Sequence, residues 1–167
     1  DTWSTAKKLL SEATETGLGG DLPVAGCALQ YIDRFLWDAG NDQYDAHELF
    51  KQNSELLPDQ VFQAGNIWHN HIGWFDQNNT SISGRLLNKI NVDSFEESEK
   101  TTSQIDINLQ YRFNKQSETI SDFLSNKTTQ SADVAMQEAH DRNIALIRSL
   151  LQPDVCERIG LDRYGEA

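Results

Sequence analysis

The stretch "GNIWHNHIGWFDQNN", residues 65–79, holds the side chains best suited to chemistry. His69 and His71 stand one residue apart between two tryptophans, and Asp76 follows them. Imidazole and carboxylate groups bind transition metals and transfer protons. Whether the two imidazoles can share an ion depends on the backbone. On a strand they lie on one face, whereas on a helix, which turns by about 100° per residue, they point in nearly opposite directions.

The residues around the histidines favour a helix. Pro58 and Asp59 suit a first helical turn, because proline loses no hydrogen bond there and the carboxylate meets the positive end of the helix dipole. Apolar residues then recur at spacings of three and four, which predicts a helix over 58–77. On that helix His69 and His71 do not chelate one ion, and His71 lies at the edge of the core. The predicted core stripe is Val61, Ala64, Trp68, Ile72 and Phe75.

Hydrophobic spacing predicts helices on both sides of one clear strand. Residues 105–113 alternate apolar and polar side chains without error, as expected of a strand with one buried face. Residues 117–124 are a second candidate strand. Residues 76–84 are predicted to form a loop and residues 125–131 a turn. Helical patterns occur at 2–16, 24–39, 44–52, 85–90, 92–100 and 132–151.

This order of elements predicts an α+β fold. Residues 1–78 are expected to form an N-terminal helical part built on a helical hairpin. Residues 79–167 are expected to form a C-terminal part with a small antiparallel sheet and helices. The chain of 167 residues is long enough to bury a core of ordinary size.

Composition and charge limit the partners of the protein. The formal net charge of −12 disfavours nucleic acid phosphates and suits either a basic partner or simple solubility. No stretch approaches the ~18 apolar residues of a membrane-spanning helix, so we expect no membrane insertion. Cys27 and Cys156 are the only cysteines, and they form either one bridge or two free thiols.

The sequence carries no common catalytic motif. It has no phosphate-binding Gly-Lys-Ser/Thr loop, no dinucleotide fingerprint and no nucleophile motif. The glycines of "GLGGD", residues 17–21, are predicted to end a helix. We therefore assign no catalytic and no cofactor-binding residue from the sequence.

Three segments resemble the iron/manganese superoxide dismutases. They are "VFQAGNIWHNHIGWF" (61–75), "LLNKINVDSFEES" (86–98) and "DVCERIGLDRY" (154–164). The resemblance implies that the first segment is a helix bearing a metal-binding histidine at His71. It implies that the second segment also contains a helix, and that the third supplies the metal carboxylate at Asp154.

Two of the four metal ligands of that family are replaced in this chain. The family uses three histidines and one aspartate, but the first histidine falls at Pro23 and the last at Arg158. A guanidinium group is permanently charged and cannot bind a metal ion. At best His71 and Asp154 remain, as a vestigial pair. Aligning the tryptophans instead places Asn70 at the ligand position.

The resemblance also implies roles for residues around the site. Tyr31 falls near the family's gateway tyrosine, and Glu157 matches a glutamate that works across a dimer interface, although a local ion pair with Arg158 is equally compatible. If the metal site survives, iron or manganese needs an unexpected ligand such as His69 or His140. Otherwise no cofactor is expected.

The sequence thus predicts a superoxide dismutase-like pseudoenzyme that serves as a structural or accessory subunit of a larger protein assembly. The expected partners are protein subunits, a dimer is allowed, and a mitochondrion or plastid is one expected compartment. Two alternatives stay open: a superoxide dismutase with altered ligands, and an unrelated acidic protein-binding module. Candidate contact anchors are Trp3, Trp37, Trp68 and Trp74.

Overall fold

A computed structural model describes residues 2–17, 19–38, 43–76, 84–113, 118–125 and 131–161. The protein is α+β, as predicted, with helices and one four-stranded antiparallel sheet of strand order β1-β4-β3-β2. Short 3₁₀ turns occur at Ala46–Glu48 and Asp59–Gln63. The helices are α1 Thr2–Glu15, α2 Ile120–Leu124, α3 Ala132–Leu150 and α4 Pro153–Arg158, and the strands are β1 Gly26–Leu36, β2 Trp68–Asp76, β3 Gly84–Glu97 and β4 Lys100–Phe113.

The two central strands supply most of the buried side of the sheet. Both strands alternate buried and half-exposed residues, so one face packs in the core and the other faces outward. Ser98 and Glu99, both with positive φ, make the tight turn that joins β3 to β4. The strand predicted at 105–113 is confirmed within β4. Its buried residues are Ile105, Ile107, Leu109 and Tyr111.

Four predicted helices in the first 100 residues are wrong. Strands occupy most of these segments instead. β1 lies within 24–39 and β2 within 58–77, while β3 covers 85–90 and its end, with the start of β4, falls within 92–100. Each segment fits a helical spacing, but pairing between strands selects the extended form, in which exposure alternates along β1, β2 and β3. The N-terminal helical hairpin is therefore absent, and α1 is the only helix described before residue 78.

The histidine segment shows why the helix prediction fails. Gly65 has φ 77°, a left-handed conformation that follows the 3₁₀ turn Asp59–Gln63 and prevents a helix from continuing. The chain then extends into β2, where Trp68 is buried and His69 is exposed. At β1, a Cβ atom added to Gly26 would lie 2.2 Å from the carbonyl oxygen of Tyr111, so that close strand pairing requires glycine.

The remaining elements divide between confirmed and corrected predictions. The helices predicted at 2–16 and 132–151 are confirmed as α1 and α3. The short helix predicted at 44–52 is only the 3₁₀ turn Ala46–Glu48. The strand predicted at 117–124 is instead α2, because the hydroxyl of Thr119 caps a helix there and accepts a hydrogen bond from the backbone N–H of Asp122 at 3.1 Å. Most of the loop and turn predicted at 76–84 and 125–131 lies outside the described residues.

The chain divides into two compact units that are interleaved along the sequence. The domain boundary expected after residue 78 stays a prediction. The first unit comprises residues 1–29, 74–88 and 109–141. In it Asp133 of α3 holds α1, because Trp3 Nε1 and Lys7 Nζ donate to its carboxylate at 2.8 and 2.6 Å. No residue of α1 is buried.

The second unit comprises residues 30–73, 89–108 and 142–167. Phe50 is fully buried and meets Trp68 of β2 with the ring centroids 5.6 Å apart. Phe50 also forms an isolated antiparallel bridge with Leu151, which fastens the segment after Ala46–Glu48 to the end of α3. This unit carries His69, His71 and Asp154 among the residues that the sequence nominated as metal ligands, whereas His140 belongs to the first unit.

None of the described helices is both long and apolar enough to cross a bilayer. Cys27 and Cys156 are both free thiols in the structure, so of the two sequence alternatives the unbridged one holds. Cys156 is buried in α4, and Cys27 is half-buried on β1.

The Cys27 thiol is expected to be unreactive in the native protein. Burial raises its pKa from 9.0 to about 12. At pH 8 this lowers the thiolate fraction about a thousandfold, and the thiolate is the reactive form. In a Cys156→Ala variant, we expect 5,5′-dithiobis(2-nitrobenzoate) to modify native Cys27 about 10³ times more slowly than the same protein unfolded in urea. Equal rates in the two states would contradict the buried position of the thiol.

Candidate functional site

His69 and His71 share one face of β2. Their ring centroids lie 6.4 Å apart, and both residues are exposed. The prediction that they point in opposite directions is wrong because the segment is a strand. The ring Nδ1 of His69 hydrogen-bonds with Oδ1 of Asp93 on the neighbouring β3.

The His69–Asp93 pair orients an imidazole at the protein surface. Carboxylates orient histidines in this way in many metal and catalytic sites. Here, however, the side chain of His69 is 64% exposed, and exposed ion pairs are strongly screened by water. Within the described residues, no group of three or more His, Cys, Asp or Glu side chains is arranged to hold a metal ion.

The two predicted metal ligands lie on different elements of the second unit. His71 is on β2, and Asp154 is an exposed residue in the first turn of α4. No hydrogen bond or ring contact joins them among the described residues. The vestigial metal pair therefore stays a prediction. The helices implied at 61–75 and 86–98 by the resemblance to superoxide dismutases are wrong, since β2 and β3 occupy those segments.

The other residues named from the sequence are distributed over several strands, helices and turns. Pro23 forms an isolated bridge with Thr119. In the described part of the chain no ion pair joins Glu157 to Arg158. His47 bonds Asp45 at 2.8 Å. Tyr31 lies on β1 and His140 on α3, while Trp68 is buried and Trp3, Trp37 and Trp74 are half-buried.

A feature that the sequence did not predict is the edge strand β1. This strand pairs with β4 on one side, and no strand among the described residues pairs with its other side. An unpaired edge presents free backbone N–H and C=O groups and is a template for another strand. No residue of β1 is fully buried, unlike the central strands. In the second unit the exposed edge covers residues 30–36.

The outward side of residues 30–36 combines apolar and polar side chains. Ile32 and Leu36 are 55% and 56% exposed, which is unusual for large apolar residues on a strand. Gln30 Nε2 donates to both carboxylate oxygens of Asp106 at 2.9 and 3.0 Å. Arg34 Nε donates to Gln104 Oε1 at 2.8 Å. These cross-strand bonds hold β1 against β4 and leave the two apolar side chains uncovered.

The inward side of the same strand carries Asp33. Burial raises the pKa of its carboxyl group. Asp33 makes no hydrogen bond or ion pair with the part of the chain that the structure describes. Desolvation of a carboxylate without a partner is unfavourable, and natural edge strands use such inward charges to discourage unwanted pairing.

Replacing Asp33 by asparagine is expected to stabilise the protein at pH 7. Because the folded-state pKa is raised, the favourable contribution of this carboxyl exists below its ordinary range and is lost as the pH rises through the folded pKa. At pH 7 the ionised group is penalised, and Asp33→Asn removes the penalty. Thermal unfolding followed by circular dichroism should show a higher Tm for the variant at pH 7 and a smaller difference near pH 3.

The matched control is Asp21→Asn, which makes the same change at an exposed residue of the first unit. We expect it to leave the Tm nearly unchanged at both values of pH. A lower Tm for Asp33→Asn at pH 7 would show that the Asp33 carboxylate is stabilising, against the burial described for it.

Comparisons of the chain with protein-family models, with curated proteins and with solved structures found no match. One sequence signal for β1 was available, since Cys27, Leu29, Tyr31 and Phe35 alternate with more exposed positions. That signal predicts a strand but not its position at the edge of a sheet.

Proposed function

We propose that the protein is a non-catalytic binding protein, an accessory subunit of a larger complex, that recruits its partner by strand addition to residues 30–36. The observation that carries this proposal is the edge of β1, with which no described strand pairs; Ile32 and Leu36 are exposed on one face, and on the other the Asp33 carboxylate has no partner among the described residues. In strand addition the backbone supplies affinity and alternate side chains supply specificity.

The chemistry of the edge defines the partner. An extended segment pairing with β1 would place apolar side chains beside Ile32 and Leu36, on the outward face. On the inward face, a lysine or arginine of the partner would supply the counter-ion that Asp33 lacks. The net charge of −12 would also speed association with a basic protein. The expected partner is thus a basic protein with a segment that alternates apolar and cationic residues.

The same residues argue against pairing between two copies of this edge. Antiparallel self-pairing centred on Asp33 would set the two carboxylates directly opposite each other, and like charges in that position are destabilising. A foreign segment with a cation has no such penalty. The proposal therefore assigns this edge to a different protein.

The binding role needs no metal ion and no superoxide dismutase ancestry. It corresponds to the protein-binding module expected as an alternative from the sequence. His69 and His71 lie on β2, at the other edge of the sheet from β1, and take no part in the proposed strand addition.

Affinity capture with the full chain tests the proposal. The variant Ile32→Arg places a charge where the partner's apolar side chain should pack, and we expect it to lose the proteins that the wild type captures. Leu9→Arg is the matched control, since Leu9 is a 61% exposed leucine on α1 of the first unit. Equal capture by Ile32→Arg and wild type, with both folded by circular dichroism, would overturn the proposal.

A further inference from the structure

The second unit contains a cavity of about 450 Å³ beside the end of β1. Aromatic rings of Phe35, Trp37 and Tyr44 contribute to its wall, together with aliphatic side chains. Its charged lining groups are Arg34, Arg158 of α4 and one carboxylate, Glu48. The volume lies within the ~300–1,000 Å³ range of small-molecule sites in proteins.

The aromatic wall is fixed by contacts within the unit. The rings of Trp37 and Tyr44 meet edge to face, with centroids 5.5 Å apart and an interplanar angle of 76°. The hydroxyl groups of Tyr44 and Ser103 are hydrogen-bonded at 2.9 Å, and the backbone N–H of Trp37 donates to the carbonyl oxygen of Thr101 at 2.9 Å. A wall held in this way needs little rearrangement to receive a flat ligand.

The charges of the lining favour an anion. Two guanidinium groups and one carboxylate line the cavity, although the chain as a whole carries a net charge of −12. Arg158 makes no hydrogen bond or ion pair with any described residue. Arg34 uses its Nε for Gln104. Guanidinium groups bind carboxylate, sulfonate and phosphate oxygens through paired hydrogen bonds.

We propose that this cavity binds a small organic anion with a flat apolar body. The anionic group bonds to the guanidinium of Arg158, and the flat body packs on Trp37 and Tyr44. The cavity shares Arg34, Phe35 and Leu36 with the proposed partner-binding strand, but Ile32 and Asp33 do not line it, so variants at those two positions test the partner interaction by itself. Failure of strand addition would therefore leave this proposal standing.

Two matched fluorescent probes test the proposal. 1-Anilinonaphthalene-8-sulfonate is flat, apolar and anionic, whereas N-phenyl-1-naphthylamine has the same rings without the sulfonate. In titrations of the native full chain, we expect saturable binding of the anionic probe at one site. Its affinity should exceed that of the neutral probe by about tenfold. Equal affinities, or binding without saturation, would overturn the proposal.

Variants of the lining residues test whether the probe binds in the cavity. Arg158→Gln should lower the affinity for the anionic probe about tenfold and leave the affinity for the neutral probe unchanged. Trp37→Leu should lower the affinity for both probes. Arg85→Gln is the matched control, because Arg85 is an exposed arginine of β3 that does not line the cavity. Equal effects of Arg158→Gln and Arg85→Gln would show that the sulfonate is not held by Arg158, and would contradict the proposed site.

Discussion

Replacement of Phe50 by alanine should lower the free energy of unfolding by about 3–5 kcal/mol. Phe50 has 0% exposure, and its ring packs edge to face on Trp68 with an interplanar angle of 73°. Removing the ring takes away buried apolar surface and leaves a cavity between fixed neighbours. The loss is also expected to loosen the backbone bridge between Phe50 and Leu151, which connects the segment after Ala46–Glu48 to the end of α3.

Urea unfolding of the wild type and two variants measures this effect. Phe75→Ala is the control, because Phe75 is 45% exposed and its main described partner is the guanidinium of Arg112, 5.7 Å from the ring centroid. We expect Phe75→Ala to cost about 1 kcal/mol or less. If Phe50→Ala lowered the free energy of unfolding no more than Phe75→Ala does, the position of Phe50 in the core would be contradicted.

Reversing the charge of Asp33 should abolish partner binding while leaving the fold intact. In Asp33→Lys, the cation expected from the partner would meet another cation in a half-buried position. Central interface residues commonly contribute 2 kcal/mol or more, so we expect the amount of captured partner to fall by about 30-fold or more. The position is at an edge strand, where a lysine is well tolerated by the free protein.

Quantitative capture from equal amounts of folded variants measures this prediction. Asp21→Lys makes the same change of charge at an exposed residue of the first unit and serves as the control. Asp33→Asn should give an intermediate result, with weaker capture but a higher Tm at pH 7. Such a pair of opposite effects is expected where a residue serves binding at a cost in stability. If Asp33→Lys captures as much partner as Asp21→Lys, the proposed role of Asp33 is wrong.

Local sequence patterns predicted the elements whose residues make mainly local or strictly alternating contacts. The sequence predicts α1 and α3 because helical hydrogen bonds join residues four apart. The contacts that stabilise a helix therefore span the same short stretch of sequence as the pattern that predicts it. The strand at 105–113 was found because its apolar residues face a core on one side only.

The other three strands were missed for a common physical reason. Their residues fit a helical spacing, and pairing with another strand selects the extended form instead; for β1 that strand, β4, is distant in the sequence. Gly26 illustrates this dependence, since its need for glycine comes from the carbonyl of Tyr111, far along the chain. A short stretch of sequence around Gly26 does not include Tyr111 and so cannot predict this contact.

The candidate site was predicted only in part. The sequence drew attention to His69 and His71, and the structure brings them together on one exposed face, with Asp93 as a partner. The edge strand could not be predicted, because the order β1-β4-β3-β2 is a property of the whole sheet. The binding role proposed for the Asp33 carboxylate depends on that strand order, because the order places β1 at the edge of the sheet.

Hydrogen–deuterium exchange of residues 30–36, measured with and without the captured partner, tests the central claim most directly. In the free protein, the backbone N–H groups that point away from β4 have no partner strand in the described part of the chain and should exchange quickly. With the partner bound, we predict slow exchange of these same groups, because they become hydrogen-bonded to an added strand. Unchanged exchange at residues 30–36, together with protection at another surface such as α1, would contradict strand addition at β1.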